Sequence, residues 1–190
     1  MKILLIPGSL REHSFNKALA KCASDYLNTI AGIETETLDY SDVPMLNYDN
    51  CYPFPESVNL IREKISEADG LWIFCPEYNG AVPGGLKNLL DFASLSYVPD
   101  NYASGSPLKG KPCAQSGAGG KMATAFAQKA LSELLIRCGC QVYTEDIVKV
   151  AVPAASFKSG IYQPDPEVIE ELHQEAAGFI RFIHSVLAED

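Results

Sequence analysis

Lys2-Ile3-Leu4-Leu5-Ile6-Pro7-Gly8-Ser9-Leu10-Arg11-Glu12-His13-Ser14-Phe15-Asn16 is the stretch on which the reading of the fold turns. Lys2 to Ile6 is an apolar run without alternation, stopped by Pro7-Gly8, which is the pattern of a strand buried on both faces of a parallel sheet. From Ser14 to Leu27 the pattern changes period: Phe15, Ala18, Leu19, Cys22, Ala23, Tyr26 and Leu27 recur at steps of three and four, as on a helix with one buried face. A buried strand that turns directly into an amphipathic helix is the first half of a β-α-β crossover.

The unit recurs along the chain. Ile33 to Leu38 alternates as a second, more exposed strand, and the Pro- and Asn-rich stretch from Asp42 to Pro55 reads as a loop. A helix from about Ser57 closes at Gly70 before Leu71-Trp72-Ile73-Phe74-Cys75, a central strand that ends at Pro76. Gly84 to Leu95 is helical, with Pro83 at its first turn. A polar connector then runs to Lys111, Pro112 to Gln115 is expected as the fourth strand, and Met122 to Cys138 as a long helix. The fifth strand is placed at Gln141 to Tyr143, extended through Val148 to Val150, and Asp165-Pro166 starts a terminal helix with a stripe from Val168 to Leu187. Five alternations with right-handed crossovers predict one α/β domain over residues 1–190, a parallel sheet covered by helices on both faces. In such sheets ligands bind at the carboxyl ends of the strands, so the turns after strands one, three and four matter most.

With 47% hydrophobic residues the 190-residue chain can build a core without disulfides or metal. Fifteen basic against twenty-four acidic residues give a net charge of -9, a field that repels phosphate backbones and anionic lipid. Nucleic acid and membrane are therefore not expected as partners, and a cytoplasmic protein is expected. The six cysteines form no CxxC pair and do not group with the three histidines at zinc-ligand spacing, so no metal site is predicted and the thiols read as packing. Cys138-x-Cys140 offers a redox or metal-binding pair and Cys75 a thiol beside the loop after strand three, but the first follows an apolar helical stretch and the second ends a buried strand, so packing is the favoured reading for both.

After the first strand, a helix N-terminus offers unpaired N–H groups and a positive dipole end, Ser9, Ser14 and Asn16 offer neutral donors, and Arg11 offers a fixed charge. These groups suit a phosphate monoester; the plainer alternative is a Ser14 cap beside a surface cation. Neither G-x-G-x-x-G nor a Walker loop is present, since Lys121 in Gly117-Ala118-Gly119-Gly120-Lys121-Met122 is followed by Met. After the third strand, Pro76-Glu77-Tyr78-Asn79-Gly80-Ala81-Val82-Pro83-Gly84-Gly85 is stiffened by prolines, and its glycines let a flat ligand approach the backbone. It suits an isoalloxazine ring, or else is an ordinary rigid loop before a Pro-started helix.

Gly8-Ser9-Leu10-Arg11 with Ser14-Phe15-Asn16, followed by Pro76-Glu77-Tyr78-Asn79 with Val82-Pro83-Gly84-Gly85-Leu86-Lys87-Asn88 and Asp91, resembles the two signatures of the NADPH-dependent FMN reductase family, flavodoxin-like proteins that include quinone, azo-dye and chromate reductases. The likeness extends to Asp42-Val43-Pro44-Met45-Leu46 and to the glycine-rich turn after strand four, while Phe92 stands where many relatives carry Trp. The resemblance implies a doubly wound five-stranded sheet of order 2-1-3-4-5. It implies that Ser9, Arg11, Ser14, Phe15 and Asn16 hold the FMN phosphate, that Pro76, Glu77, Tyr78, Asn79 and Gly80 line the ring, and that Ser116 and Gly117 close the third side. No side chain is assigned a catalytic role: Glu77 is expected to bond neighbouring backbone or Lys87 rather than to donate a proton.

Three functions are compatible with these residues. The first is an enzyme in which NADPH or NADH reduces FMN and a small-molecule oxidant reoxidises it. The second is a flavodoxin-type electron carrier, which the acidic surface suits. The third is a cofactor-free binding module on the same fold. The resemblance also implies a homodimer or homotetramer formed through the helices after strands three and four, where Leu89, Leu90, Phe126, Leu134 and Leu135 exceed the needs of one buried face. The connector from Ser94 to Leu108, with Tyr97 and Tyr102, is expected beside the flavin or at the subunit contact.

Overall fold

In the computed structural model, which describes residues 1–49 and 51–188, the centre of the sheet is built by β1 (Lys2–Pro7) and β3 (Gly70–Phe74), buried from Ile3 and from Gly70 onward. Because strand side chains alternate in direction, Leu4, Ile6, Leu71 and Ile73 pack on one face and Ile3, Leu5, Trp72 and Phe74 on the other. The first face is covered by α2 (Glu56–Glu67), α3 (Gly84–Ser94) and α4 (Ala125–Arg137), the second by α1 (Phe15–Leu27) and α6 (Pro166–Leu187). The edge strand β2 (Glu34–Thr37) has the sequence ETET, since only β1 pairs with it. All pairings between named strands are parallel, in the order β2-β1-β3-β4-β5, the 2-1-3-4-5 arrangement of flavodoxin-like sheets.

Two expectations change. The fourth strand, β4 (Pro112–Gly119), does not stop at Gln115 but runs four residues further. It has no β-branched residue, yet its first half is paired to β3 and its last three residues to β6 (Lys149–Ala151), so tertiary pairing overrides weak local preference. The fifth position is filled by two segments, β5 (Gln141–Val142) and β6, with residues 143–148 leaving the ladder between them. Where the ladder breaks, the buried Glu175 of α6 takes over: its Oε2 accepts from the Val148 N–H at 3.0 Å and from the Ser116 hydroxyl at 2.7 Å, while the Trp72 indole N–H donates to Ser116 Oγ at 2.8 Å.

A short helix not foreseen from sequence, α5 (Ala154–Ser159), follows β6. Leu89, Leu90 and Leu135 belong wholly to the core, whereas Phe126 and Ile136 of α4 are 56% and 61% exposed. The connector after α3 folds onto α2: the Tyr97 hydroxyl lies 2.9 Å from Ser66 Oγ, and the buried Arg62 donates to the carbonyls of Phe92 and Leu95. Among the described residues no helix is long and apolar enough to cross a membrane.

Candidate functional site

Three turns at the carboxyl edge of the sheet enclose one cleft. In the first, Ser14 is the N-cap of α1, its Oγ accepting from the Asn16 N–H at 3.2 Å. Arg11 is exposed; its guanidinium donates to the carbonyls of His13 and, at 3.2 Å, Gly160, and lies 4.8 Å from the centre of the Phe15 ring. Among the described residues no carboxylate pairs with it. The Asn16 amide is matched to the backbone of Ala118: Nδ2 donates to the Ala118 carbonyl at 2.8 Å and Oδ1 accepts from the Ala118 N–H at 2.9 Å. Asn16 thus fixes the start of α1 against the end of β4. Tyr40, whose hydroxyl donates to the Pro7 carbonyl at 2.9 Å, holds the same turn from beneath.

The second turn passes against the first at Gly8, where a Cβ would come within 2.9 Å of both Leu86 Cδ2 and Pro76 Cδ. Tyr78 and Ala81 exchange two backbone hydrogen bonds of 3.1 Å around Asn79 (φ 54°) and Gly80 (φ 74°), so this pair forms a two-residue turn of the primed kind that Asn-Gly favours. The Tyr78 hydroxyl donates to Ser9 Oγ at 3.2 Å, linking the two loops across the cleft. Cys75, which donates to the Pro76 carbonyl at 3.3 Å, has its thiol pushed up to about 12 by burial, and so stays an uncharged thiol.

Glu77 does bond backbone, though across the cleft: its Oε2 accepts from the N–H groups of Phe126 and Ala127 at 2.9 and 3.0 Å. The N-cap of α4, Thr124, sits at φ 60° and makes no side-chain cap bond, so the carboxylate from the second turn satisfies the helix start instead. Lys87 pairs with Asp91 at 2.6 Å.

The third wall differs from expectation. Ser116 and Gly117 lie inside β4 below the cleft: the Ser116 hydroxyl is engaged by Trp72 and Glu175, and a Cβ on Gly117 would strike the Cys75 carbonyl. The rim is formed instead by Ala118, Gly119 and Gly120, and by Phe157 of α5. Ser9, Arg11, Ser14, Phe15, Asn16, Pro76, Glu77 and Tyr78 all line the cleft, whereas Asn79 and Gly80 form the tip of the second turn and are not part of its lining. None of the connector residues 94–108 line it either. A strand end at Gly119, two β4 residues beyond Gly117, would have pointed to the rim; nothing in Ala154-Ala155-Ser156-Phe157-Lys158-Ser159 signals a cleft wall.

Residues 1–154 match the model of the NADPH-dependent FMN reductase family. The chain belongs to that family. It is 37% identical over 132 residues to a 2-hydroxy-1,4-benzoquinone reductase of a Burkholderia species, covering 69% of this chain and 68% of that one. To the quinone reductase of Escherichia coli K12 it is 32% identical over 180 residues, covering 92% and 86%. FerB, a flavoenzyme NAD(P)H:(acceptor) oxidoreductase from Paracoccus denitrificans, superposes with a TM-score of 0.81 at 26% identity, covering 97% of each chain.

The groups present suit FMN. A fixed cation without a carboxylate partner among the described residues and two serine hydroxyls stand at a helix N-terminus, as a phosphate requires, and Pro76 and Tyr78 supply flat walls across from them. Tyr78, 52% exposed, leaves ring surface open to a ligand.

Proposed function

We propose that this cleft holds FMN, phosphate toward Arg11 and ring toward Tyr78, and that the protein is an NAD(P)H-dependent reductase of small oxidants of the quinone type. The observation that carries the reading is the convergence of the Arg11 guanidinium, which pairs with no carboxylate among the described residues, with the Tyr78–Ser9 contact in one cleft. When bound, FMN supplies two-electron exchange between a nicotinamide and an acceptor. The chain's own work is to bind and orient. Arg11, Ser9 and Ser14 hold the phosphate, the rigid Pro76–Tyr78 segment supports the ring, and Asn16 keeps the first and third walls in register. Asn79 and Gly80 shape the ring loop through their turn. The Glu77 carboxylate, committed to α4, moves no proton. Family membership and the reductase relatives favour the enzyme over a flavodoxin-type carrier.

Addition of NADPH or NADH to the FMN-loaded protein without oxygen is expected to bleach the visible flavin absorbance; no bleaching with either nicotinamide rejects the enzyme reading. Arg11→Ala is expected to weaken FMN binding by roughly 10- to 100-fold, the loss of a charge-assisted hydrogen bond. Turnover with quinones, azo compounds, free flavin and metal oxyanions then ranks the acceptors and the two nicotinamides. We further infer a cytoplasmic homo-oligomer, associating through the exposed Phe126 and Ile136, which light scattering on the same preparation tests.

A further inference from the structure

We infer that Phe157, together with the Arg11–Gly160 bridge, closes the phosphate end of the cleft and makes it selective for a flavin that ends at one phosphate, FMN, over FAD. The inference rests on the proposal that Arg11 receives the flavin phosphate. It concerns a wall the family model does not include, since the match ends at the first residue of α5.

Helix α5 buries none of its residues, so core packing does not explain an aromatic side chain among Ala, Ser and Lys. Phe157 is nonetheless held in place: its ring meets Phe15 edge-on, with centroids 5.1 Å apart at 88°, and Phe15 meets Tyr162 at 5.9 Å. Half of its surface, 51%, stays exposed, and it borders the same cleft as Ser9 and Ser14. A large apolar ring held at the mouth of a polar phosphate site is a steric wall.

Arg11 completes the closure. Its guanidinium covers the Phe15 ring on one side and reaches the Gly160 carbonyl on the other, so the turn before α1 and the segment after α5 are joined across the end of the cleft. Gly160 sits at φ 75°, a left-handed conformation that ends α5 and aims the carbonyl toward Arg11. Both ends of the segment are fixed, by the Val152 N–H donating to the Gly119 carbonyl at 2.9 Å and by the buried Tyr162. FMN and FAD are identical up to this phosphate. With the phosphate at Arg11 as proposed, the second phosphate and adenosine of FAD would extend against the span that Phe157 and the Arg11–Gly160 bond occupy.

The test is the affinity of the apoprotein for each flavin, read by fluorescence quenching. The wild type is expected to favour FMN strongly over FAD. In Phe157→Ala the FMN-to-FAD ratio should fall about tenfold, the scale of one well-placed aromatic contact, while Phe157→Tyr keeps the wild-type ratio. Arg11→Lys, which keeps a cation but loses the fork that spans to Gly160, should narrow the ratio as well. A wild-type ratio in both Phe157→Ala and Arg11→Lys, or a wild-type protein that binds FAD as tightly as FMN, overturns the inference. Failure of the underlying site is seen separately, as an Arg11→Ala variant that binds FMN like the wild type. Since Phe157 is half exposed on a helix without buried residues, the variants should keep the wild-type melting curve.

Discussion

The two halves of the sheet are held by different means. Around β1 and β3 the cohesion is apolar: Ile3, Leu4, Leu5, Ile6, Leu71, Trp72, Ile73 and Phe74 are fully buried and face helices lined with Leu and Ile. Around β4 the side chains are small or polar, and the half is fastened by hydrogen bonds from a distance, Asn16 to Ala118, Trp72 to Ser116, and Glu175 to Ser116 and Val148. Apolar burial is forgiving in direction, whereas a buried hydrogen bond demands its partner. The half that frames the third wall of the cleft is therefore more precisely aligned and more easily broken by a single polar change.

The largest stability loss should come from the apolar half. Ile73→Ala, in the centre of the sheet, is expected to cost about 2–5 kcal/mol, read as a lower urea midpoint with an unchanged slope, and the surviving folded fraction should still bind FMN. Asn16→Ala should cost less, roughly 1–3 kcal/mol for stranding the buried Ala118 groups, but should weaken FMN binding in addition, because α1 and the Gly119 rim lose their tie. Equal FMN affinity in the Asn16→Ala and wild-type proteins would show that the two halves do not differ in how they serve the site.

The same contrast decides what could be read from sequence. Strands β1 and β3 announce themselves, since burial on both faces forces an apolar run, and the Asn79-Gly80 turn is visible in its residue types. Strand β4 was legible only to Gln115, because Ser116-Gly117-Ala118-Gly119 has the composition of a loop and becomes a strand through β6. That error of extent displaced the third wall from Gly119 and Gly120 to Ser116 and Gly117. The sequence points Glu77 to neighbouring backbone or to Lys87, but its partners lie about fifty positions on, at Phe126 and Ala127, and Lys87 pairs with Asp91. Phe157 carries no local signal at all; only the return of the chain from β6 across the phosphate turn gives it meaning.

The last expected effect appears only as pH rises, and it is also the most diagnostic of the hydrogen-bonded half. Glu175 is fully buried, and its Oε1 has no partner among the described residues. Burial pushes its carboxyl up to about 8, against the bonds from Ser116 and Val148 and with a further push from Asp146. The neighbouring Tyr143, pushed up to about 12 by burial and by its bond to Asp146, stays neutral through the range concerned. Between the ordinary value of 4.5 and about 8, the folded protein retains a proton that the unfolded chain has released, so stability declines as pH rises through that window and levels off above it. The decline from this one group is at most ~1.4 kcal/mol per pH unit. Glu175→Gln keeps an oxygen for Ser116 and Val148 and does not titrate. It should match the wild type near pH 5 and exceed it near pH 8.5, so that the melting temperatures of the two proteins diverge with pH. Parallel curves would mean that the clasp at the broken fifth strand carries no buried proton, and that a fixed charge there is tolerated as readily as on the surface.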